Sequence, residues 1–99
     1  MIINQSTANE YGPSGIRINA ICPGPIHTPL LERSIAGVPG ARAITEQTTS
    51  FGRLGDPQEV ADAILFLTSA VGSFVHGTSM VVDGGGLNKE IGFDTLSLN

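Results

Sequence analysis

Two short apolar runs, each closed by glycine, flank one well-capped amphipathic helix, and this arrangement constrains the fold more than any other feature. The first run is Ile16-Arg17-Ile18-Asn19-Ala20-Ile21-Cys22. It alternates Ile16, Ile18, Ala20 and Cys22 onto one face and Arg17, Asn19 and Ile21 onto the other, the period of a strand. Pro23-Gly24-Pro25 closes it, because proline brings no ladder donor. The helix starts at Asp56-Pro57-Gln58-Glu59: a capping aspartate, a first-turn proline and a glutamate three residues on. Val60, Ala63, Ile64 and Leu67 follow at helical spacing, with Ala61 and Leu65 widening the stripe. The spacing predicts a helix to about Ser69, with Gly72 as its C-terminal cap. The second run, Ser79 to Asp83, carries Met80-Val81-Val82 and ends at Gly84-Gly85-Gly86. Such an uninterrupted run suits a strand buried on both faces, as in a parallel sheet. Parallel neighbours need a crossover of a dozen or more residues, so the expected class is α/β, built on a βαβ unit.

The remaining segments fit round that unit. Residues 2–11 predict a helix, with Ile3, Thr7, Ala8 and Tyr11 on one face and Gly12-Pro13 as the stop, glycine serving as a left-handed cap. No start signal stands a full helix length before that stop, and isolated helices under about 12 residues are marginal. The expectation is the end of a longer helix. Thr28-Pro29 reads as an N-cap followed by proline at the first helical position, with Leu30, Leu31 and Ile35 on one face. Gly37, Pro39 and Gly40 interrupt, and 41–50 predicts a second short helix. Residues 28–50 therefore form a lid-like insertion. Two strands and one and a half helices close no core, so both strands are expected to have further neighbours.

Composition narrows the partners. Five Lys plus Arg against nine Asp plus Glu give the 99 residues a net charge of -4, whereas a nucleic-acid footprint is basic and clustered. The single cysteine, Cys22, excludes an internal disulfide framework and a multi-cysteine zinc site. No apolar run reaches the roughly 18 residues of a membrane span, and Met-Ile-Ile-Asn-Gln lacks the flanks of a signal peptide. His27 and His76 have no metal-ligand spacing. The expectation is a cytoplasmic protein with no metal, nucleic-acid or membrane partner.

The run Ala8-Asn9-Glu10-Tyr11-Gly12-Pro13-Ser14-Gly15-Ile16-Arg17-Ile18-Asn19-Ala20-Ile21-Cys22-Pro23-Gly24 resembles the late helix and sixth strand of the short-chain dehydrogenase/reductase family. Phe51-Gly52-Arg53-Leu54-Gly55-Asp56-Pro57-Gln58-Glu59-Val60-Ala61 resembles the family's last crossover helix. Ser73-Phe74-Val75-His76-Gly77 and Val82-Asp83-Gly84-Gly85 resemble the entry to and exit from its seventh strand. The likeness runs from about residue 3 to 86 and covers the carboxyl-terminal portion of the family. It implies the last part of a Rossmann-like doubly wound parallel sheet, which binds NAD or NADP at the carboxyl ends of its strands. It also implies hydride transfer between the nicotinamide and a carbonyl or alcohol, and a homo-oligomer in the full-length context. Three family signatures are absent from the 99 residues: the glycine-rich diphosphate turn, the catalytic serine and the Tyr-x-x-x-Lys pair. Tyr11 does not supply the last, since position 15 is glycine. The family pattern places that tyrosine upstream of Met1 on the same helix. The chain alone is therefore expected to be inactive, with no catalytic residue of its own. The alternative is a non-catalytic truncated chain that acts by association with a full-length relative.

Site residues carry two readings each. By spacing, Pro23-Gly24 ends a strand and Thr28 caps a helix. By resemblance, Pro23, Gly24, Ile26 and Thr28 bind the nicotinamide end of the cofactor: Gly24 lets the flat ring approach, the main chain near Ile26 bonds the carboxamide, and the Thr28 hydroxyl contacts carboxamide or phosphate. His27, Leu30 and Leu31 are expected at the substrate pocket, or, for the leucines, in the core of a short helix. No serine or carboxylate partner for His27 is signalled. His76 is expected in a solvated turn, Cys22 as a small core residue, and Asp83 as a turn former. Arg53 and Glu10 are expected to be surface or structural partners. Arg17 and Asn19 are expected to be polar groups satisfied by neighbouring loops. Residues 87–99 extend past the resemblance as a tail.

Overall fold

A computed structural model describes residues 2–87, with side chains from residue 5 onward. In chain order it contains α1 (Ile2–Tyr11), β1 (Ala20–Pro23), α2 (Pro29–Ile35), α3 (Ala41–Gln47), α4 (Pro57–Thr68) and β2 (Ser79–Val82). Strands β1 and β2 pair in parallel as a two-stranded sheet, so the α/β expectation holds. Residues 88–99 of the expected tail, and the Ile3 side chain, lie outside the described residues. The chain divides into two compact units. Among the described residues one comprises 2–22 and 58–82, the other 23–57 and 83–87.

In the first unit, α1 ends differently from the expectation. Gly12–Ser14 forms a 3-10 turn, and Gly15, at φ 79°, takes the left-handed position. The reason is Pro13: its fixed φ suits the first positions of such a turn, which moves the reversal three residues on, from Gly12 to Gly15. Ala8 is buried on the expected apolar face, whereas Tyr11 is exposed.

The strand predicted over 16–22 shortens to Ala20–Pro23, because side chains replace much of the ladder before it. The Ile18 carbonyl accepts from Gly77 N–H (2.8 Å) and Ala20 N–H donates to the Thr78 carbonyl (2.9 Å). Between them the Asn19 amide stands in for backbone. Its Nδ2 donates to the Val75 carbonyl at 3.0 Å, and its Oδ1 accepts from Thr78 N–H at 3.0 Å. His76 is not merely a solvated turn residue. Its Nδ1 accepts from Ile18 N–H (3.2 Å), which requires Nε2 to carry the proton donated to the Ala8 carbonyl (2.6 Å).

Arg17 closes the end of α4. Its Nη1 donates to the carbonyls of Leu67 (2.6 Å), Gly72 (2.7 Å) and Val75 (3.3 Å), and Nη2 donates to Ser69 (3.2 Å). With two protons on Nη1, the Val75 contact is the weakest. The last carbonyls of a helix lack intrahelical donors, and a cation there also opposes the negative end of the helix dipole. Gly72 does not act as a left-handed cap. It lies in a 3-10 turn over Ala70–Gly72, where a Cβ would meet the Phe66 carbonyl oxygen at 2.5 Å. Glycine is needed there for close approach rather than for φ.

Arg17, Asn19 and Ile21, predicted to share a face, line one cavity of about 550 Å3 with Ile18, Ile64, Leu67 and Thr68. The Met80-Val81-Val82 run is not buried on both faces: Val81 is exposed and its neighbours are half-buried. Each strand has a single partner here, and one pairing covers one edge only. Leu67 and Ala8 are the buried apolar side chains of this unit among the described residues, while Leu65, Val71 and Phe74 face solvent.

Replacing Arg17 by methionine keeps the aliphatic stem and removes every donor. The Ser69, Gly72 and Val75 carbonyls keep a second donor, but the Leu67 carbonyl is left unmet, and an unmet acceptor of this kind costs about 1–3 kcal/mol. Arg17→Met is expected to lower the urea midpoint by about 2 kcal/mol of stability, with the slope of the transition unchanged.

Candidate functional site

The candidate site begins where β1 ends and lies in the second unit. Gly55 pairs with Ile26 in a parallel bridge. Gly55 N–H donates to the Pro25 carbonyl (2.9 Å), and the Gly55 carbonyl accepts from His27 N–H (2.8 Å). In a parallel pairing one residue bonds the two flanking its opposite number. The N–H and C=O of Ile26 itself therefore point away from Gly55. Among the described residues neither has a hydrogen-bond partner. Ile26 is half-buried, so a donor and an acceptor sit side by side on one rigid residue.

Gly24 earns its glycine for a reason other than ring approach. A Cβ there would lie 2.7 Å from the Asp83 Cβ and 2.9 Å from its Cα. Its open side is already filled by Asp83. That aspartate forms the expected turn: Oδ1 accepts from Gly85 N–H (2.9 Å) and Oδ2 from Leu87 N–H (2.6 Å). Phe51 N–H donates to the Gly84 carbonyl at 3.1 Å, holding the same turn to residues 48–51. Thr49, buried, knots that stretch together. Its hydroxyl lies 3.1 Å from the Glu46 carbonyl and 3.0 Å from that of Arg53, and it accepts from Gly52 N–H and Arg53 N–H. Arg53 stacks its guanidinium 5.7 Å from the Phe51 ring centre, a structural partner as expected.

Thr28 is the N-cap of α2. Its side-chain oxygen accepts from Leu31 N–H at 3.2 Å. A hydroxyl that accepts there keeps its proton to donate elsewhere, so the cap does not use up the group. The predicted leucine face is corrected. Leu31 and Ile35, one turn apart, are half-buried, while Leu30 is 67% exposed. Adjacent helical residues are rotated by about 100°, which turns Leu30 outward.

His27 has a carboxylate partner after all. Its Nε2 lies 2.7 Å from Glu32 Oε1, and the same oxygen accepts from Arg42 Nη1 at 2.7 Å. Arg42 Nε lies 3.4 Å from Glu46 Oε2, one turn along α3. The signal was available: with Thr28 at the N-cap, His27 is at N′ and Glu32 at N4. That is the pair of positions which meet in a hydrophobic staple, filled here by polar groups. Arg42 came from the weakly patterned second helix and carried no such signal. The Glu32 carboxyl is held below its ordinary value of 4.5, first by its bond from Arg42 and then by His27, and Arg42 is correspondingly raised.

Among the described residues no group of three His, Cys, Asp or Glu is placed to hold a metal ion, and no helix is long and apolar enough to cross a membrane.

Residues 2–86 match the protein family described as enoyl-(acyl carrier protein) reductase. The chain belongs to the short-chain dehydrogenase/reductase family. This short-chain dehydrogenase/reductase chain is 46% identical over 84 residues to cis-4-hydroxycyclohexanecarboxylate dehydrogenase of Sinomonas cyclohexanicum, covering 84% of this chain and 32% of that protein. Among solved structures it is similar to ElxO with NADP bound, with a TM-score of 0.77 and 30% identity over 86% of this chain and 34% of that one. It is also similar to a 4-hydroxyisoleucine dehydrogenase mutant complexed with NADH and succinate, at TM-score 0.80 and 28% identity, over 90% and 36%. The chain spans about a third of the length of the curated relatives it matches. Its helix-linked parallel strands are part of a Rossmann-like fold.

Two outcomes are expected from this geometry. Gly24→Ala drives a methyl into Asp83 and is expected to cost about 1–3 kcal/mol through overpacking, with the amide resonances of Gly85 and Leu87 displaced. Glu32 has a lower pKa folded than unfolded, so its contribution is complete above the unfolded value and is lost as pH falls through the folded one. The bonds from His27 and Arg42 are expected to persist at neutral pH and to fail only below pH 4.5. A carboxyl-detected NMR titration of Glu32 reads this directly.

Proposed function

We propose that these residues form the carboxyl-terminal part of an NAD(P)-dependent oxidoreductase, one that transfers hydride between the nicotinamide and a carbonyl or alcohol substrate. The observation that carries this reading is the unpartnered N–H and C=O of half-buried Ile26. A primary carboxamide presents one acceptor oxygen and an amide donor, the complement of that pair. The residues therefore fit the nicotinamide end of the cofactor. A bound nicotinamide supplies or accepts the hydride. Ile26 N–H donates to the carboxamide oxygen and its carbonyl accepts from the carboxamide amide. Thr28 offers its remaining hydroxyl proton to carboxamide or phosphate. Pro23 and Gly24 fix the path of the loop, Gly24 through its seat on Asp83. Residues 28–50 act as the substrate cover, with His27, Leu30 and Leu31 toward the substrate. The NADP and NADH named in the two similar structures support the cofactor class without choosing between them.

The same reading makes the 99-residue chain inactive by itself, since it contains no Tyr-x-x-x-Lys to donate or accept the proton. Purified chain is expected to show no turnover with NADH or NADPH and a panel of ketones and aldehydes. Reduced nicotinamide mononucleotide is expected to shift the Ile26 and Thr28 amides in a 15N spectrum. Measurable turnover overturns the first statement, and unmoved Ile26 resonances overturn the second. An in-frame Tyr-x-x-x-Lys in the transcript just upstream of Met1 would place the chemistry on the same polypeptide.

A second reading is favoured by the exposed apolar side chains of the first unit, among them Leu65 and the fully exposed Phe74. Here the chain is a non-catalytic product that associates through those faces with a full-length relative. Light scattering is expected to show self-association; a monodisperse monomer with a cooperative melt would contradict this reading.

A further inference from the structure

Glu32 is the node of the second unit. One oxygen, Oε1, takes bonds from the His27 ring and the Arg42 guanidinium, both at 2.7 Å. The three residues come from three different places in the chain: His27 from the loop after β1, Glu32 from α2, and Arg42 from the start of α3. His27 is held twice, by its ring to Glu32 and by its backbone N–H to the Gly55 carbonyl at 2.8 Å. It stands between Ile26 and Thr28, the two residues whose polar groups remain available. The α2–α3 connection contains Gly37 and Gly40, both at positive φ (76° and 79°). The connection is held by Val38 N–H to the Ile35 carbonyl at 3.2 Å and Ala41 N–H to the Val38 carbonyl at 3.1 Å, and the Glu32–Arg42 bond adds a side-chain tie between α2 and α3.

We infer that Glu32 is a positioning residue: by clasping His27 and Arg42 together it fixes the Ile26–Thr28 backbone and holds the α2–α3 cover in register with it. This rests on the cofactor reading above, since it assigns the purpose of the clasp to the loop that meets the nicotinamide. The members of the clasp are half-exposed, 44–52% on their side chains, and an ion pair of that kind in isolation contributes little to global stability; the effect asked of it here is local order. Two charge-assisted bonds meet on one oxygen, and they join the loop, α2 and α3 by side chain in addition to the backbone bonds each already makes. The groups facing the carboxylate are His27 from the loop and Arg42 from α3, with Glu46 beyond Arg42.

The test uses the full 99-residue chain. Amide hydrogen exchange is measured for wild type, Glu32→Gln and Glu32→Asp, each with and without reduced nicotinamide mononucleotide. Glu32→Gln keeps the volume and removes the charge. It is expected to speed exchange of His27 N–H and of Ile44 N–H, which donates to the Gly40 carbonyl at 3.0 Å, by about fivefold as these sites open locally. Ala20 N–H, in the first unit, serves as the control and is expected to be unchanged. The nucleotide-induced shift at Ile26 is expected to saturate at higher ligand concentration in the variant. Glu32→Asp restores the charge and is expected to recover part of both effects, which a role in helix stability alone would not produce. Below the titration of Glu32 the wild type is expected to approach the variant, while Glu32→Gln shows no such inflection. Unchanged exchange and unchanged nucleotide response in Glu32→Gln would overturn the clasp and leave the cofactor reading standing. An Ile26 resonance that the nucleotide fails to move in wild type would overturn the cofactor reading. In that case faster exchange in Glu32→Gln would still establish the clasp as a structural tie.

Discussion

The first unit hangs on the Arg17 guanidinium. It gathers carbonyls from Leu67, Ser69, Gly72 and Val75, which ends α4 and shapes the turn leading to β2. Without it the Leu67 carbonyl would lose its donor, a costly loss in a part-buried place, while the carbonyls of Ser69, Gly72 and Val75 would keep only Gly72 N–H, Val75 N–H and the Asn19 amide. The strand segment that carries Arg17 cannot make a full ladder, because opposite it lies a turn and not a strand. Asn19 and the His76 ring therefore complete the pairing by side chain, and the regular ladder starts only at Ala20. A planar, permanently charged group with five donors in a fixed fork suits this task better than lysine, whose ammonium is a compact point charge.

The second unit solves the same problem with less burial. Among its described residues Leu54 and Thr49 are the buried ones, too few to position a loop by packing. Closure is polar and steric instead. Gly24 is seated against Asp83, Asp83 ties its own turn, Thr49 knots residues 46–53, and Gly55 pins the residues on both sides of Ile26. The consequence is that Ile26, which makes no hydrogen bond of its own among the described residues, is the best-fixed backbone in the segment. A binding group made of main chain tolerates many side chains, so in the proposed reading residues 28–50 can vary without disturbing the contact to the cofactor.

The elements that announce themselves by strong local chemistry were readable from the residues. Asp56-Pro57 started α4, Thr28-Pro29 started α2, and glycine closed both strands. Two glycines were misread in purpose. Gly72 and Gly24 are glycine because another backbone lies within 3 Å of the missing Cβ, the Phe66 carbonyl six residues back in one case and distant Asp83 in the other, and neither approach is written in the local pattern. Gly12 failed for a nearer reason, since Pro13 favoured a 3-10 turn and passed the reversal to Gly15. The full burial expected for Met80-Val81-Val82 depended on neighbours that local pattern cannot supply. At the site, Thr28 was identified by its capping position. The free polar pair of Ile26 depended on Gly55, nearly thirty residues away. Glu32 was within reach of the N′–N4 rule, but that rule is usually applied to apolar pairs, and the histidine concealed it.

Cofactor contact and proton chemistry are separable demands, and this chain meets them unequally. Orienting a carboxamide needs one rigid donor and one rigid acceptor, which a pinned loop residue provides. Proton transfer needs a side chain whose charge state can change within reach of the reacting oxygen. The titratable ring nearest the loop, His27, already has its Nε2 engaged by Glu32. A carboxylate on one ring nitrogen leaves Nδ1 open to a proton and would stabilise the imidazolium, so the tie to Glu32 orients the ring without barring it from proton transfer. In the proposed reading His27 is a contact on the substrate side of the loop, and the reaction's proton belongs to the family's Tyr-x-x-x-Lys pair, which the 99 residues do not contain.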